Sequence, residues 1–216
     1  MRDNKLDGKA YAAGLRERIT DAVSALPGQP TLAVVLVGED PASKVYVKNK
    51  IKFTIETGKR SVEHKLPADI SEGDLIKIVR ELNTDNEVDG ILVQLPLPQH
   101  LDENRVIEEI APAKDVDGLT EVSAGRLSLG KPGLRPCTPT GCVMLAKDAL
   151  GDLSGKSCVI IGRSILVGKP AAMLFLEQNC TVTIAHPAQK TSKRSVKKLI
   201  FSSRPSDARK WSKMTG

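Results

Sequence analysis

Tyr46 and Lys50 are spaced so that they could act together on a substrate. They lie four residues apart in a segment with helical character, so they would share one helix face. A lysine that is held near a phenol and shielded from water has a lowered pKa and becomes useful in proton transfer. The alternative is an ordinary solvated face with Lys44, Lys48 and Lys52 as neighbours, and the pair by itself favours this alternative.

A single amide, Gln94, interrupts an apolar run that follows a turn at Asp89-Gly90. Pro96 and Pro98 come next, and proline lacks the N–H that would continue a β-ladder, so the strand must end near Gln94. In open α/β sheets, ligands bind at the carboxyl ends of the strands. Gln94 is therefore a candidate site residue.

Asp117 stands in the segment Lys114-Asp-Val-Asp-Gly118, which is typical of a tight loop. An acid just before a glycine is more often a turn residue than a ligand. The segment alone therefore favours a structural role for Asp117.

A glycine turn, Gly162-x-Ser164-x3-Gly168, lies between a predicted strand and a predicted helix. That context favours phosphate binding at the helix N-terminus. The turn is not GxGxxG, because Val167 stands where the third glycine would fall, and an ordinary α/β turn is the alternative. His186 stands where NAD-type sites carry a ribose-binding carboxylate, which favours NADP over NAD.

Predicted strands and helices alternate along the sequence that contains these candidate residues. Apolar runs predict strands at 31–37, 61–66, 91–94, 157–161 and 181–185, and helices at 10–26, 43–57, 71–82, 142–149 and 169–178. Ser43 and Ser71 are the expected N-caps. Residues 130–141 are dense in proline and glycine and predict a domain junction. This order of elements is typical of parallel α/β sheets.

The composition is that of a globular protein with an aliphatic core. Apolar residues make up 40% of the 216 residues and aromatic residues 3%. No apolar run is long enough to span a bilayer, and no signal segment follows the polar start of the chain. The four cysteines lack zinc-ligand spacing, so we expect free thiols, a cytoplasmic protein and no metal.

The net charge of +6 comes from the last thirty residues. Residues 187–216 carry nine Lys/Arg and one acid, whereas 23 basic and 25 acidic residues precede them. The first 186 residues are thus nearly neutral, which argues against a nucleic-acid-binding domain.

Five motifs, in order, closely resemble the bifunctional methylenetetrahydrofolate dehydrogenase/cyclohydrolase family over residues 1–186. They are Tyr46-x3-Lys50, Asp89-Gly-Ile-Leu-Val-Gln-Leu-Pro-Leu-Pro98, Lys114-Asp-Val-Asp-Gly118, Arg135-Pro-Cys-Thr-Pro-x-Gly141 and Gly162-Arg-Ser-x3-Gly-Lys-Pro170. The resemblance implies an α/β protein with an N-terminal parallel-sheet catalytic domain that binds folate (1–140) and a truncated Rossmann-like NADP domain (141–186). Residues 187–216 would be a non-family basic tail.

The resemblance also implies a reaction and roles for the site residues. Hydride would pass from 5,10-methylenetetrahydrofolate to NADP+, and the methenyl product would be hydrolysed to 10-formyltetrahydrofolate. Lys50 would transfer protons in the hydrolysis, and Gln94 would orient Lys50. Tyr46 would stack on or hydrogen-bond the folate, and Asp117 would bind the pterin ring. The implied cofactor-binding residues are Gly162, Arg163, Ser164 and Gly168. The implied partners are tetrahydrofolate derivatives and a second copy of the chain, without nucleic acid, membrane or metal.

The family pattern ends at His186. In a shifted reading frame, codons that can encode Lys198 to Gly216 give ADILVAAVGRPEMVKDDW, an apolar strand and turn like those of the family, so we infer a frameshift near His186. A Rossmann half with two strands would have an unpaired edge, and we expect a disordered tail and impaired dehydrogenase activity. One alternative is a non-catalytic folate-binding protein. Another makes the basic tail a nucleic-acid-binding arm, although the frameshift explains its basicity more simply.

Overall fold

Two units, each built on a parallel sheet, form the part of the chain that the structure describes. The structure is a computed structural model and describes residues 6–186 and the backbone of residues 201–202. The first unit is Asp7–Val122, and the second contains the described residues from Ser123 onward. Each has its own three-stranded sheet and its own hydrophobic core. The predicted α/β class with parallel sheets is thereby confirmed.

The first unit alternates helices and strands in the predicted order. Its helices are α1 (Gly8–Ser24), α2 (Pro41–Glu56), α3 (Glu72–Thr84) and α4 (Glu103–Glu108), and its strands are β1 (Thr31–Val37), β2 (Arg60–Leu66) and β3 (Gly90–Val93). A further helix, α5 (Glu121–Ser128), follows. The strands are parallel in the order β2-β1-β3, with Thr31 opposite Arg60 and Leu32 opposite Gly90.

The central strand β1 is covered on both faces, as its uninterrupted apolar sequence predicts. Val35 belongs to the same buried cluster as Leu75 of α3. Val34 belongs to a second cluster, with Val47 of α2. Successive side chains of a strand point to opposite faces, so α3 and α2 cover opposite sides of the sheet.

The second unit contains a strand–helix–strand arrangement preceded by a helix. Its elements are α6 (Cys137–Leu150), β4 (Ser157–Ile161), α7 (Gly168–Leu176), β5 (Thr181–Ala185) and β6 (Phe201–Ser202). β4 lies between β5 and β6 and is parallel to both. The sequence predicts only two of these three strands, because a strand of two residues leaves no periodic pattern to detect. Leu153, Ile160 and Phe175 are fully buried in the core of this unit.

The predicted disordered tail lies mostly outside the residues that the structure describes. Apart from the backbone of β6, residues 187–216 are not among the described residues, so disorder there stays a prediction. Within the described ranges, none of the helices combines the length and the hydropathy that crossing a membrane requires.

The starts of α2 and α6 differ from the predicted ones for identifiable physical reasons. α2 is capped by Asp40, whose Oδ2 accepts a hydrogen bond from the Ser43 N–H at 2.7 Å, and not by Ser43. Pro41 occupies the first turn, where a missing N–H costs nothing. α6 begins at Cys137, inside the predicted junction, because a proline is tolerated in its first turn for the same reason. Helices α4 and α5 are short and were not predicted.

Candidate functional site

Gln94 lies one residue beyond β3, at the carboxyl end of the first sheet, as the sequence predicts. Its backbone N–H donates to Val35 O at 2.9 Å, so the ladder continues one residue past the strand. The side-chain Nε2 donates to Leu95 O at 2.6 Å. The Oε1 atom is buried and accepts no hydrogen bond from the described residues. A buried acceptor without a donor is costly, so this oxygen is suited to a donor on a ligand.

The segment 114–118, which contains the predicted site residue Asp117, runs beside β3. The Ile91 N–H donates to Lys114 O at 2.8 Å. The Lys114 ammonium donates to two carbonyls at the end of α3, at 3.0 and 2.7 Å. Gly90 makes room for the segment, because a Cβ at this position would overlap Val116 Cγ1. The absence of a side chain at Gly90 therefore allows the segment after α4 to pack against the start of β3.

The two acids of this segment have different surroundings. Asp115 is buried, and its carboxylate accepts hydrogen bonds from the N–H of Leu119 at 3.1 Å and from the N–H and hydroxyl of Thr120 at 2.9 Å. Asp115 is thus the residue that fixes the turn, a role that the sequence favoured for Asp117. The sequence shows two aspartates two residues apart in this loop, but it does not reveal which of them is buried.

Asp117 instead forms an ion pair with Lys50 of α2, with 3.7 Å between Nζ and Oδ2. The two side chains are 36% (Lys50) and 29% (Asp117) exposed, so both are shielded yet accessible to a ligand. Burial raises the pKa of Asp117 above its ordinary value against the lowering effect of Lys50, and nearby Asp115 adds to the rise. The carboxyl group therefore takes up a proton more readily than an exposed aspartate does.

Tyr46 stands one turn before Lys50, with its side chain open to solvent. It is 63% exposed, whereas Val47 beside it is buried and holds α2 against the sheet. Lys44 pairs with Glu39 in a different direction. The solvated-face interpretation therefore describes Lys44, while Tyr46 and Lys50 remain available to a ligand.

One predicted contact is not present. The resemblance implies that Gln94 orients Lys50, but no described donor reaches Gln94 Oε1, and its Nε2 donates to the carbonyl of Leu95. Lys50 is held by Asp117 instead. A role for Gln94 in orienting Lys50 thus stays a prediction for the ligand-bound protein.

Ser43 is a polar residue of this region whose environment the sequence did not reveal. It lies seven residues before Lys50, on the same side of α2. Its side chain is buried, and hydrogen bonds from its backbone N–H and its side chain help to lower the pKa of Asp40. A serine near the start of a helix is usually its N-cap. The sequence therefore contains no signal that Ser43 is instead a buried residue inside α2.

The glycine turn of the second unit lies between β4 and α7, as predicted. The Gly162 N–H donates to Ala185 O at 2.8 Å, and Gly162 has a φ of +110° that favours glycine. A Cβ on Gly168 would overlap the Gly162 carbonyl and lie 2.9 Å from Arg163 Cα. The close approach expected of the third glycine in a dinucleotide turn is therefore made by Gly168, one residue later than in GxGxxG.

Ser164 and Arg163 project from this turn. The Ser164 Oγ accepts hydrogen bonds from the N–H groups of Val167 at 3.2 Å and Gly168 at 3.3 Å, at the start of α7. Because its oxygen faces these donors, the hydroxyl hydrogen is left to donate to an anion. Arg163 is exposed. His186 directly follows β5, at the position that the sequence indicated.

The cysteines are free thiols. Burial raises the pKa of Cys142 and that of Cys158 to about 11, so both are protonated at neutral pH. In the described part of the chain, no group of three or more His, Cys, Asp or Glu side chains is arranged to hold a metal ion.

Comparison with known proteins gives matches to both units. The family model described as tetrahydrofolate dehydrogenase/cyclohydrolase, catalytic domain, matches residues 6–117. The model described as tetrahydrofolate dehydrogenase/cyclohydrolase, NAD(P)-binding domain, matches residues 136–200, which extends past His186.

Individual relatives agree with these matches. The bifunctional protein FolD of Hyphomonas neptunium is 67% identical over 187 residues, which are 86% of this chain and 63% of that protein. The solved structure of the bifunctional FolD methylenetetrahydrofolate dehydrogenase/cyclohydrolase from Campylobacter jejuni is 41% identical, with a TM-score of 0.83 over 86% of this chain and 67% of that chain. A FolD structure from Trypanosoma brucei, complexed with NADP and an inhibitor, is 31% identical with a TM-score of 0.80, covering 85% of this chain and 64% of that chain.

The chain spans less than two thirds of the length of the curated relative from Hyphomonas neptunium. The catalytic-domain model nevertheless matches more than half of the chain, and it includes Tyr46, Lys50, Gln94 and Asp117. The chain belongs to the tetrahydrofolate dehydrogenase/cyclohydrolase family.

Proposed function

We propose that this chain oxidises 5,10-methylenetetrahydrofolate with NADP+ and hydrolyses the methenyl product to 10-formyltetrahydrofolate. The observation that carries the proposal is the ion pair between Lys50 and Asp117, in a segment that matches the family's catalytic domain. The names of the relatives, which are bifunctional dehydrogenase/cyclohydrolase proteins, support the same pair of activities.

Asp117 binds the pterin ring in this proposal. A carboxyl group can pair with neighbouring N–H groups of a heterocycle through its two oxygens. The raised pKa of Asp117 reflects a carboxylate with too little solvation, so a ligand that donates hydrogen bonds to it relieves that cost. Tyr46, with its exposed ring, stacks on or hydrogen-bonds the next part of the folate.

Lys50 transfers the proton in the hydrolysis step. Water that attacks the cationic methenyl carbon must lose a proton, and a nearby amine can accept it. When the pterin engages Asp117, Lys50 loses its ion-pair partner, and its amine is free to turn toward the reacting carbon. Gln94, whose Oε1 has no donor among the described residues, then accepts a hydrogen bond from Lys50 or from the folate.

The residues of the second unit fit the phosphates of NADP. The absence of a side chain at Gly168 leaves the start of α7 close to the turn at Gly162, so a phosphate can approach backbone N–H groups. Ser164 donates its hydroxyl hydrogen, and the exposed Arg163 supplies positive charge. When bound, NADP+ supplies the hydride acceptor.

The test is to assay both reactions with the purified 216-residue chain and with Lys50→Ala. NADPH formation from 5,10-methylenetetrahydrofolate reports the oxidation, and loss of the methenyl absorbance reports the hydrolysis. We expect Lys50→Ala to lower the hydrolysis rate by about a hundredfold or more, since general acid–base groups contribute that much. Equal rates in both proteins would contradict the role of Lys50, and no turnover by the native chain would contradict the proposed activity.

A second candidate function is folate binding without turnover. It is favoured by the position of Tyr46, Lys50, Gln94 and Asp117, all of which lie within Asp7–Val122. The first unit could therefore bind folate whether or not the second unit binds NADP. Calorimetric binding of tetrahydrofolate, combined with no NADPH formation, would identify this case and would agree with the impaired activity predicted from the sequence.

We also propose that the chain acts as a homodimer in the cytoplasm. The dimer rests on the family resemblance, and the location rests on four cysteines that are all free thiols. Light scattering on the eluting protein separates the cases, because a monomer has a mass of 23.2 kDa and a dimer twice that mass.

A further inference from the structure

Asp115 is a second carboxylate beside the proposed folate site, and unlike Asp117 it is fully buried. It is 1% exposed, and its oxygens accept hydrogen bonds from the backbone N–H groups of Leu119 and Thr120 and from the Thr120 hydroxyl. These donors take the place of water around the buried carboxylate. Asp115 therefore holds a negative charge in a fixed position next to the residue proposed to bind the pterin.

Asp115 forms no ion pair with a cation among the described residues. Lys50 pairs with Asp117, and the ammonium of the adjacent Lys114 donates instead to two carbonyls at the end of α3. The charge of Asp115 nevertheless reaches the site, because it contributes to the raised pKa of Asp117. Two carboxylates thus face the single ammonium of Lys50, which leaves negative charge in excess.

Gln94 adds a further acceptor at the same end of the sheet. The segment 114–118 runs parallel to β3 where Asp115 bridges Ile91, so it proceeds toward the carboxyl end of the strand, where Gln94 lies. The buried Gln94 Oε1 has no donor among the described residues. A ligand between Gln94 and Asp117 therefore meets negative potential in a region partly shielded from water, where Coulomb interactions are stronger than in bulk solvent.

One folate of the proposed reaction is a cation at its reacting carbon. Hydride transfer to NADP+ removes a hydrogen with both bonding electrons from the methylene carbon, which leaves a positive charge shared with the two flanking nitrogens. Addition of water and loss of a proton then give the uncharged formyl group. We propose that Asp115 makes the site select the methenyl cation over folates whose one-carbon group is uncharged. This inference rests on the proposed folate site and adds the charge state of the ligand that the site prefers.

The test compares the binding of two ligands to the full chain in the absence of NADP+. 5,10-Methenyltetrahydrofolate carries the positive charge, and rapid mixing followed by aromatic fluorescence measures its binding before it is hydrolysed. 5-Formyltetrahydrofolate has the same pterin and glutamate without that charge. The readout is the ratio of the two affinities, because a purely structural role of Asp115 would change both affinities by the same factor.

Asp115→Asn removes the negative charge, and Thr120→Val is the matched control, because it removes a hydrogen bond to Asp115 and leaves the charge in place. We expect the native chain to prefer the methenyl compound and Asp115→Asn to reduce that preference by about three- to tenfold, as for loss of one nearby charge in a partly shielded site. Thr120→Val should leave the preference unchanged. Asp115→Glu keeps the charge in an altered turn and should also keep the preference.

The outcomes separate this inference from the proposed function. If the native chain binds both ligands equally, or if Asp115→Asn weakens both by the same factor, Asp115 does not select the cation, although the folate site would still stand. Loss of the preference in Asp115→Glu would overturn the inference as well, even where Asp115→Asn does not fold. If the native chain binds neither ligand, the folate site is wrong, and the role of Asp115 is overturned with it.

Discussion

Asp117 shows how a binding group can reduce the stability of the protein that carries it. Its pKa is raised above 3.8, chiefly by burial, so the folded protein holds this proton more tightly than the unfolded chain does. The stabilising effect of the protonated group is therefore fully present below the ordinary pKa and is lost as the pH rises through the raised value. At neutral pH the ionised carboxylate is a net cost that a bound ligand could relieve.

Replacing Asp117 by Asn should therefore raise the free energy of unfolding slightly at pH 7 and weaken folate binding. The gain in stability should shrink as the pH is lowered from 7 toward 4, because the native carboxyl group then becomes protonated. Urea unfolding at several pH values measures the difference. Asp148→Asn, at an exposed position of α6, serves as the control. A gain that is the same at every pH would show that the charge of Asp117 is not its cause.

At the scale of elements, the contact between the start of β3 and the segment 114–118 places Asp117. Gly90→Ala would push its Cβ into Val116, which stands next to Asp117 in the chain. We expect this substitution to destabilise the protein by about 1–3 kcal/mol, as overpacking does. The double substitution with Val116→Ala should recover most of that loss, since it removes the atoms in conflict. Denaturant unfolding of the three variants provides the measurement, and no recovery would mean that the conflict lies elsewhere.

Gly168 likewise permits a close approach, here between β4 and α7. An added Cβ would collide with backbone atoms, so a second substitution that shortens a side chain could not relieve the collision. A Cβ would lie 2.7 Å from Gly162 C as well as close to Arg163. We expect Gly168→Ala to cost about 1–3 kcal/mol and to abolish NADP binding, measured by unfolding and by calorimetry. Gly125→Ala, in α5, is the control: no neighbour lies near its added Cβ, so stability should be unchanged or rise by up to about 1 kcal/mol. NADP binding by Gly168→Ala with native affinity would contradict the close-approach role.

The elements also show how far the sequence determines the fold and the site. The ends of β1, β4 and β5 were predicted to the residue, because buried parallel strands are continuous apolar runs. The α2 cap was misassigned because Asp40 and Ser43 are both good caps, and only the position of Pro41 in the first turn decides between them. The pairing of Lys50 with Asp117 could not be predicted from spacing, since 67 positions separate them and only the sheet order brings them together.

At the scale of the whole molecule, the two hydrophobic cores share no residue. The clusters of the first unit are formed by residues 32–119, and that of the second unit by residues 127–182. Each proposed ligand belongs to one of these units: tetrahydrofolate to the first and NADP to the second. A ligand that binds only the folded form of one unit stabilises that unit by mass action.

We therefore expect differential scanning calorimetry to show two transitions that respond separately. Gly90→Ala should lower only one of them, and tetrahydrofolate should raise that same transition. Gly168→Ala should lower only the other, which NADP+ should raise. For a unit of about 100 residues, a loss of 1 kcal/mol corresponds to a shift of about 4–8 °C, so the effects are measurable. A single transition that moves with every substitution and with both ligands would mean that the two cores unfold as one cooperative structure, and stability could then not be assigned unit by unit.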